Sequence, residues 1–121
     1  MKRFSVTNAT TGACLADRAA LAGSFFARLR GLLGRERLEE GDGLILRPCN
    51  SVHMFFMRFA IDVVFLDRDG KVVGLSYQLP PGAVSPLFPR ARQAVELPAG
   101  TLGRTGTKLG DVLVLRACAP D

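Results

Sequence analysis

The sequence predicts an α+β domain: a mainly antiparallel sheet, curled into a partial β-barrel, with one helix packed across it. About six short apolar runs are separated by glycine and proline turns, the pattern of short strands. One stretch alone spaces its apolar residues by three and four, as a helix does. The length of 121 residues suits one hydrophobic core and leaves no room for a second. Residues 1–121 are therefore read as a single domain.

The elements follow in chain order. Phe4 and Val6 alternate with Ser5 and Thr7, and Thr11-Gly12 supplies a turn before Cys14-Leu15-Ala16, which predicts an opening hairpin. Leu21, Phe25, Leu29 and Leu32, with Phe26 and Leu33 beside them, form one helical stripe that ends at Gly31 and Gly34. Arg28 and Arg30 flank that stripe, so either can reach over the core edge on a packed stem. Gly41-Asp42-Gly43 is a turn into the short strand Leu44-Ile45-Leu46, which Pro48 halts.

Residues 51–66 read SVHMFFMRFAIDVVFL. If extended throughout, they place His53, Phe55, Met57, Phe59, Ile61, Val63 and Phe65 on one face, and Arg58 with Asp62 on the other. The run is too apolar on both faces for a surface strand, so it passes through the interior or is two strands joined by a kink. Asp67-Arg68-Asp69-Gly70 turns the chain into Lys71-Val72-Val73-Gly74-Leu75, a hairpin. Pro80, Pro81, Pro86 and Pro89 enforce an extended loop from Leu79 to Arg92, long enough to be a lid. Gln93 to Leu97 returns to strand composition, Ala99 to Gly106 makes at most a helical turn, and Lys108-Leu109-Gly110-Asp111 leads into Val112 to Leu115.

Composition excludes several classes. The apolar share of 48% and the scattered glycines and prolines are those of a folded globular chain, not of collagen, coiled coil or low-complexity disorder. Four prolines break the longest uncharged stretch, so no transmembrane helix is expected there. The N-terminus carries two cations and then a polar alternation, unlike a secretory signal, which predicts a cytoplasmic location. Cys14, Cys49 and Cys118 are too few and too far apart for a disulfide frame, and are expected as reduced, individually buried thiols. The net charge of +5 invites nucleic acid, but only Arg28, Arg30, Arg35 and Arg37 cluster densely, and no aromatic-interleaved basic strand or recognition-helix pattern accompanies them. Nucleic acid is therefore disfavoured as a partner.

Three blocks carry a resemblance: RLRGLLGR at residues 28–35, PCNSVH at 48–53 and MRFAIDVVFLD at 57–67. With the closing ELPAGT at 96–101 and Gly110-Asp111, they are similar in order and spacing to the DUF192 (UPF0127) family over roughly residues 20–117. The resemblance implies a small β-rich domain, found mostly in bacteria and archaea, and brings no established reaction with it. The chain departs from the family's pattern after His53, where relatives often carry Thr or Trp and Met54 stands here, followed by the bulky Phe55-Phe56 pair.

Candidate chemistry centres on two groups. Cys49 and His53 are four apart, a spacing that suits two ligands of one metal, with Asp62 adding a carboxylate, or a thiol nucleophile and its base. With one histidine and no paired knuckles the metal reading is short of ligands, and neither a third catalytic group nor an oxyanion motif is identifiable. Asp62 is stronger, because a carboxylate between Phe59-Ala60-Ile61 and Val63-Val64-Phe65 must be paired. Arg58 and Arg30 are its candidate guanidinium partners. Asp111 is read as a turn former, and Asp67 with Asp69 as hairpin residues rather than a calcium loop.

These residues lead to a non-enzymatic binding or accessory domain that uses no cofactor. Its expected pocket is lined by His53, Phe55 and Met57, with Arg30, Arg58, Asp62 and Glu96 at a polar end. The occupant is a small ligand or a partner's segment. The rival is a small hydrolase or transferase using Cys49 and His53. A third reading, a partner of a membrane or secretion assembly, requires an exposed apolar patch around the proline-rich loop.

Overall fold

The computed structural model describes residues 2–22 and 37–118. β1 (Arg3–Asn8) and β2 (Cys14–Ala22) open the chain, followed by β3 (Asp42–Leu46), β4 (Ile61–Leu66), β5 (Val72–Leu79) and β6 (Gln93–Pro98). The helix α1 (Thr101–Thr105) and the strand β7 (Leu113–Ala117) close it. The strands form one sheet in the order β5-β4-β6-β3-β2-β1-β7. The predicted helix over residues 21–33 lies outside the described residues, except that Leu21 and Ala22 belong to β2.

The sheet is mixed rather than mainly antiparallel. β2 runs parallel to β3, with Arg18 opposite Asp42 and Ala22 opposite Leu46. A parallel neighbour needs a long crossover, and the stretch between Ala22 and Asp42 supplies it. The opening hairpin is present but its second strand runs on to Ala22. An alanine-rich run has no alternation to advertise a strand, yet pairing with β1 on one side and β3 on the other makes it one.

Both faces of the sheet are covered at β4, all six of whose residues are buried. Val64 and Leu66 join Val6, Leu15, Ala19, Val95, Leu97 and Leu102 in an inner core. Ile61, Val63 and Phe65 join Leu44, Leu46, Val52, Met54 and Ala94 in an outer core. The long apolar run at 51–66 does pass through the interior, but only its last six residues are strand. Before Ile61 the chain is irregular, and His53 makes an isolated antiparallel bridge to Val84.

That bridge belongs to a zipper joining residues 50–54 to the proline-rich loop. The Ser85 N–H donates to Val52 O at 2.9 Å, Met54 N–H to Ala83 O at 2.7 Å, Gly82 N–H to Met54 O at 2.9 Å and Phe88 N–H to Asn50 O at 2.9 Å. The Val52 N–H returns a bond to Ser85 Oγ at 2.9 Å. The loop is therefore a strap over the outer core, not the lid the prolines suggested: prolines lower the entropy of fixing a chain, and the Gly82, Ala83, Ser85, Phe88, Ala91 and Arg92 N–H groups are bonded. Phe88 anchors the strap, its ring centroid 4.5 Å from that of Phe65. It crosses β5 at Gly74, where a Cβ would lie 2.5 Å from the ring.

The curl brings the two ends of the sheet together at one point. The Val72 N–H donates to Asp111 O at 2.8 Å, Gly110 N–H to Val72 O at 3.0 Å and Leu113 N–H to Gly70 O at 2.8 Å. Asp111 shapes this seam as a turn former, accepting the Lys108 N–H and the Asn8 side-chain N–H, each at 2.9 Å. Asn8 in turn accepts the Thr10 and Thr11 N–H groups at the β1–β2 turn. The Asn8 bond first, then the Lys108 N–H, holds the Asp111 carboxyl below its ordinary range; burial opposes this, and the Lys108 charge adds to it.

A lowered carboxyl pKa stabilises the fold fully above the unfolded value, and this stabilisation is lost as pH falls through the lowered one. Asp111→Asn should therefore destabilise the protein near neutral pH and shrink the loss of stability that sets in as pH falls below the ordinary carboxylate range. Urea midpoints measured across that range check it; parallel curves for the two proteins contradict it. No helix among the described residues is long and apolar enough to cross a membrane.

Candidate functional site

Asp62 is fully buried, and its partners are backbone amides. Oδ1 accepts the Gln78 N–H at 2.8 Å, while Oδ2 accepts the Gly100 N–H at 3.1 Å and the Leu102 N–H at 2.8 Å. Gly100 is the N-cap of α1 and has no side chain to offer, so the strand residue supplies the cap in its place. Gln78 sits in a left-handed conformation at φ 46° and aims its N–H at the same carboxylate. Of the two expected guanidinium partners Arg58 is corrected, since it is exposed outside the strands and no described arginine pairs with Asp62, while Arg30 lies outside the described residues. Three convergent N–H donors satisfy a carboxylate as well as a guanidinium does.

Asp62 and Glu96 also cannot share one pocket. Asp62 stands opposite Leu97 and Val63 opposite Glu96, so the two acids point to opposite faces of the sheet. Asp62 faces the inner core with Leu97 and Leu102. Glu96, fully buried, faces the outer core with Leu44 and Val63. Residues 49–57 cover that outer face, so Glu96 lies on their side of the sheet and Asp62 on the other.

On the outer face, Cys49 and Met57 are partly buried against the core. The Cys49 thiol donates to Ser51 O at 3.2 Å. His53 is half-buried and stacks on Phe55, with ring centroids 4.8 Å apart and planes at 27°. Phe55 is 48% exposed and does not line an enclosed pocket. The alternation that put it inward fails because residues 54–57 form a turn, with the Met57 N–H donating to Met54 O at 3.2 Å. Arg30 lies outside the described residues. No group of three or more His, Cys, Asp or Glu side chains placed to hold a metal occurs among the described residues, and the Asp62 carboxylate lies across the sheet from His53.

The expectation of individually buried thiols is also corrected. All three cysteines are free, but Cys14 and Cys118 are exposed and Cys49 is half-buried. Cys14 is the first residue of β2 and Cys118 follows β7, where strand ends meet solvent.

The residue that strand reasoning overlooked is Phe56. It is 74% exposed and adopts a left-handed backbone at φ 69°. Val84 and Leu87 on the proline-rich strap are exposed as well. The adjacent Phe55-Phe56 pair was the available signal, since two large aromatics in succession cannot both face one core from a strand.

Comparison with known proteins agrees with this architecture. The DUF192 family model, described as "Uncharacterized ACR", matches residues 6–115. A protein of Thermococcus sibiricus named UPF0127 protein is 32% identical over 114 residues, covering 86% of this chain and 70% of the relative. A crystal structure of a Novosphingobium aromaticivorans protein of unknown function superposes with a TM-score of 0.77 at 22% identity, covering 93% of this chain and 83% of that one. Another, of a Sinorhizobium meliloti protein named as a candidate transcription regulator, gives 0.75 at 24% identity over 94% and 92% of the two chains. At these identities the two structures speak for the fold alone.

Proposed function

This chain belongs to the DUF192 family, and on that premise we propose that it is a non-enzymatic binding module, holding a partner segment or small ligand on its outer face. The observation that carries the reading is the turn at Phe55 and Phe56. Phe56 keeps most of its ring in water while holding a backbone conformation that costs a non-glycine residue about 1–2 kcal/mol. A turn serving only as a connector would carry glycine or a polar residue there. Apolar surface displayed at such a cost fits a contact made with another molecule.

His53, stacked beneath Phe55, adds a polar group beside this surface, and Met57 adds an adaptable apolar one. Glu96 lies buried on the same side of the sheet, and Arg30, from the sequence, remains a candidate for the polar end. Asp62 has a capping role and leaves this set, and the exposed Arg58 joins it only at the rim.

Native mass spectrometry of protein purified without denaturation tests the proposal. A bound mass should accompany the wild type and be lost in Phe56→Gly, His53→Ala and Arg30→Ala. Phe56→Gly should at the same time raise stability by about 1 kcal/mol, since glycine takes the left-handed conformation freely. A bound mass that survives all three variants overturns the site. A turnover of ester or thioester substrates that Cys49→Ala abolishes overturns the non-enzymatic reading in favour of the hydrolase or transferase.

A further inference from the structure

We propose that the open edge of β5 is a second docking site, built for an extended protein segment with apolar side chains and acidic flanks. β5 ends one side of the sheet and β7 the other. Among the described residues they meet at the seam, where Lys71 bridges Val112 and Val72 exchanges bonds with Gly110 and Asp111. Beyond Val72, no described backbone group pairs with the outer edge of the strand through Tyr77, whereas its inner edge pairs with β4 from Val72 to Leu79 across two register irregularities.

An unpaired strand edge is a template for another strand, and proteins usually blunt it with charge or proline. Val73-Gly74-Leu75-Ser76-Tyr77 contains neither. Two adjoining cavities, of about 440 and 550 Å³, run along this edge and share Val73, Phe88 and Leu109. Tyr77 and Leu109 are 57% and 65% exposed, so the groove offers apolar contact on the solvent side of the unpaired backbone. Main-chain bonds to the edge and side-chain pockets beside it are the two parts of strand addition.

Charge selects the occupant. Among the described residues, Lys71, Arg90 and Lys108 line the cavities and no acidic residue does. A second copy pairing through its own β5 would bring the same three cations against these, which like-charge repulsion opposes. An acidic-flanked segment from a different protein has the complementary sign. This surface uses neither His53 nor Phe56, so its failure and that of the outer-face site are separately readable.

The test uses a fluorescent synthetic peptide of alternating valine and threonine with two glutamates at each end, read by anisotropy. A control carries lysines at the ends, and another carries N-methyl groups on alternate amides. The glutamate peptide should bind about tenfold or more tighter than the lysine peptide, and N-methylation of the edge-facing amides should abolish binding. Leu109→Ser should weaken it at unchanged thermal stability, and the pair Lys71→Glu with Lys108→Glu should reverse the preference between the two peptides. Equal binding of both peptides, or indifference to N-methylation, overturns the proposal. So does a concentration-dependent dimer in sedimentation that the peptide fails to dissociate, or binding to anionic vesicles that Leu109→Ser abolishes while the glutamate peptide stays unbound.

Discussion

Asp62→Ala is expected to remove about 3–5 kcal/mol of folding stability, a large share of what a domain of this size possesses. The variant leaves the N–H groups of Gln78, Gly100 and Leu102 buried or half-buried with no acceptor. Each orphaned donor costs about 1–3 kcal/mol, more where the lost acceptor was charged. The first turn of α1 also loses its cap, because Gly100 has no side chain to replace it. Asp62→Asn keeps one acceptor oxygen and turns an amide N–H toward the remaining donors, so it should lie between the two. Urea denaturation reads both: the midpoint should fall strongly in alanine and less in asparagine, with the slope unchanged. A loss below about 1 kcal/mol for alanine would show that water or a rearranged loop takes over the three amides.

Gly70→Ala is expected to cost about 2–4 kcal/mol, for reasons of which only one is visible in the chain. Gly70 has φ 84°, which any β-carbon disfavours, and that carbon would lie 2.5 Å from Leu113 O. Leu113 cannot yield without surrendering its N–H bond to Gly70 O, and the neighbouring Val72 to Asp111 bond lies in the same seam. Gly82 is the matched control, since its φ is 82° and nothing lies within 4 Å of its hypothetical Cβ. Gly82→Ala should therefore lose only about 1 kcal/mol. Equal melting temperatures for the two variants would mean that the seam opens freely and does not hold the curl.

Much of the element order was legible from local signals. The Asp67-Gly70 turn is one such case: the Asp67 carboxylate accepts the Asp69 and Lys71 N–H groups, each at 2.9 Å. Composition alone placed β3, β6 and the short α1. Residues 14–22 and 51–60 went astray for one reason, that apolar spacing does not reveal which neighbour will saturate the backbone. Ala19 to Ala22 carry helix-compatible residues but lie between two strands. Residues 51–60 are rich enough for a strand, yet the backbone groups of Val52 and Met54 are spent on the strap rather than on the sheet. The family match starts at residue 6, earlier than the expected 20 or so, because it includes the β1–β2 hairpin, whose residues carry no distinctive motif.

The candidate site divides in the same way. That Asp62 is buried and must be partnered follows from its six apolar neighbours. Backbone amides from β5 and α1 meet that need among the described residues, and this depends on residues 16 to 40 positions away in the chain.

Sequence alone determined that this chain builds a curled, strand-rich domain of the DUF192 family with a carboxylate sunk in its middle. Periodicity, turn residues and desolvation are local or composition-level quantities and can be read from one chain. The parallel β2–β3 pair, the opposite facing of Asp62 and Glu96, the display of Phe56 and the open edge of β5 were decided only by tertiary structure. Each depends on strand register and on where the sheet closes, and those are settled by contacts between segments distant in sequence.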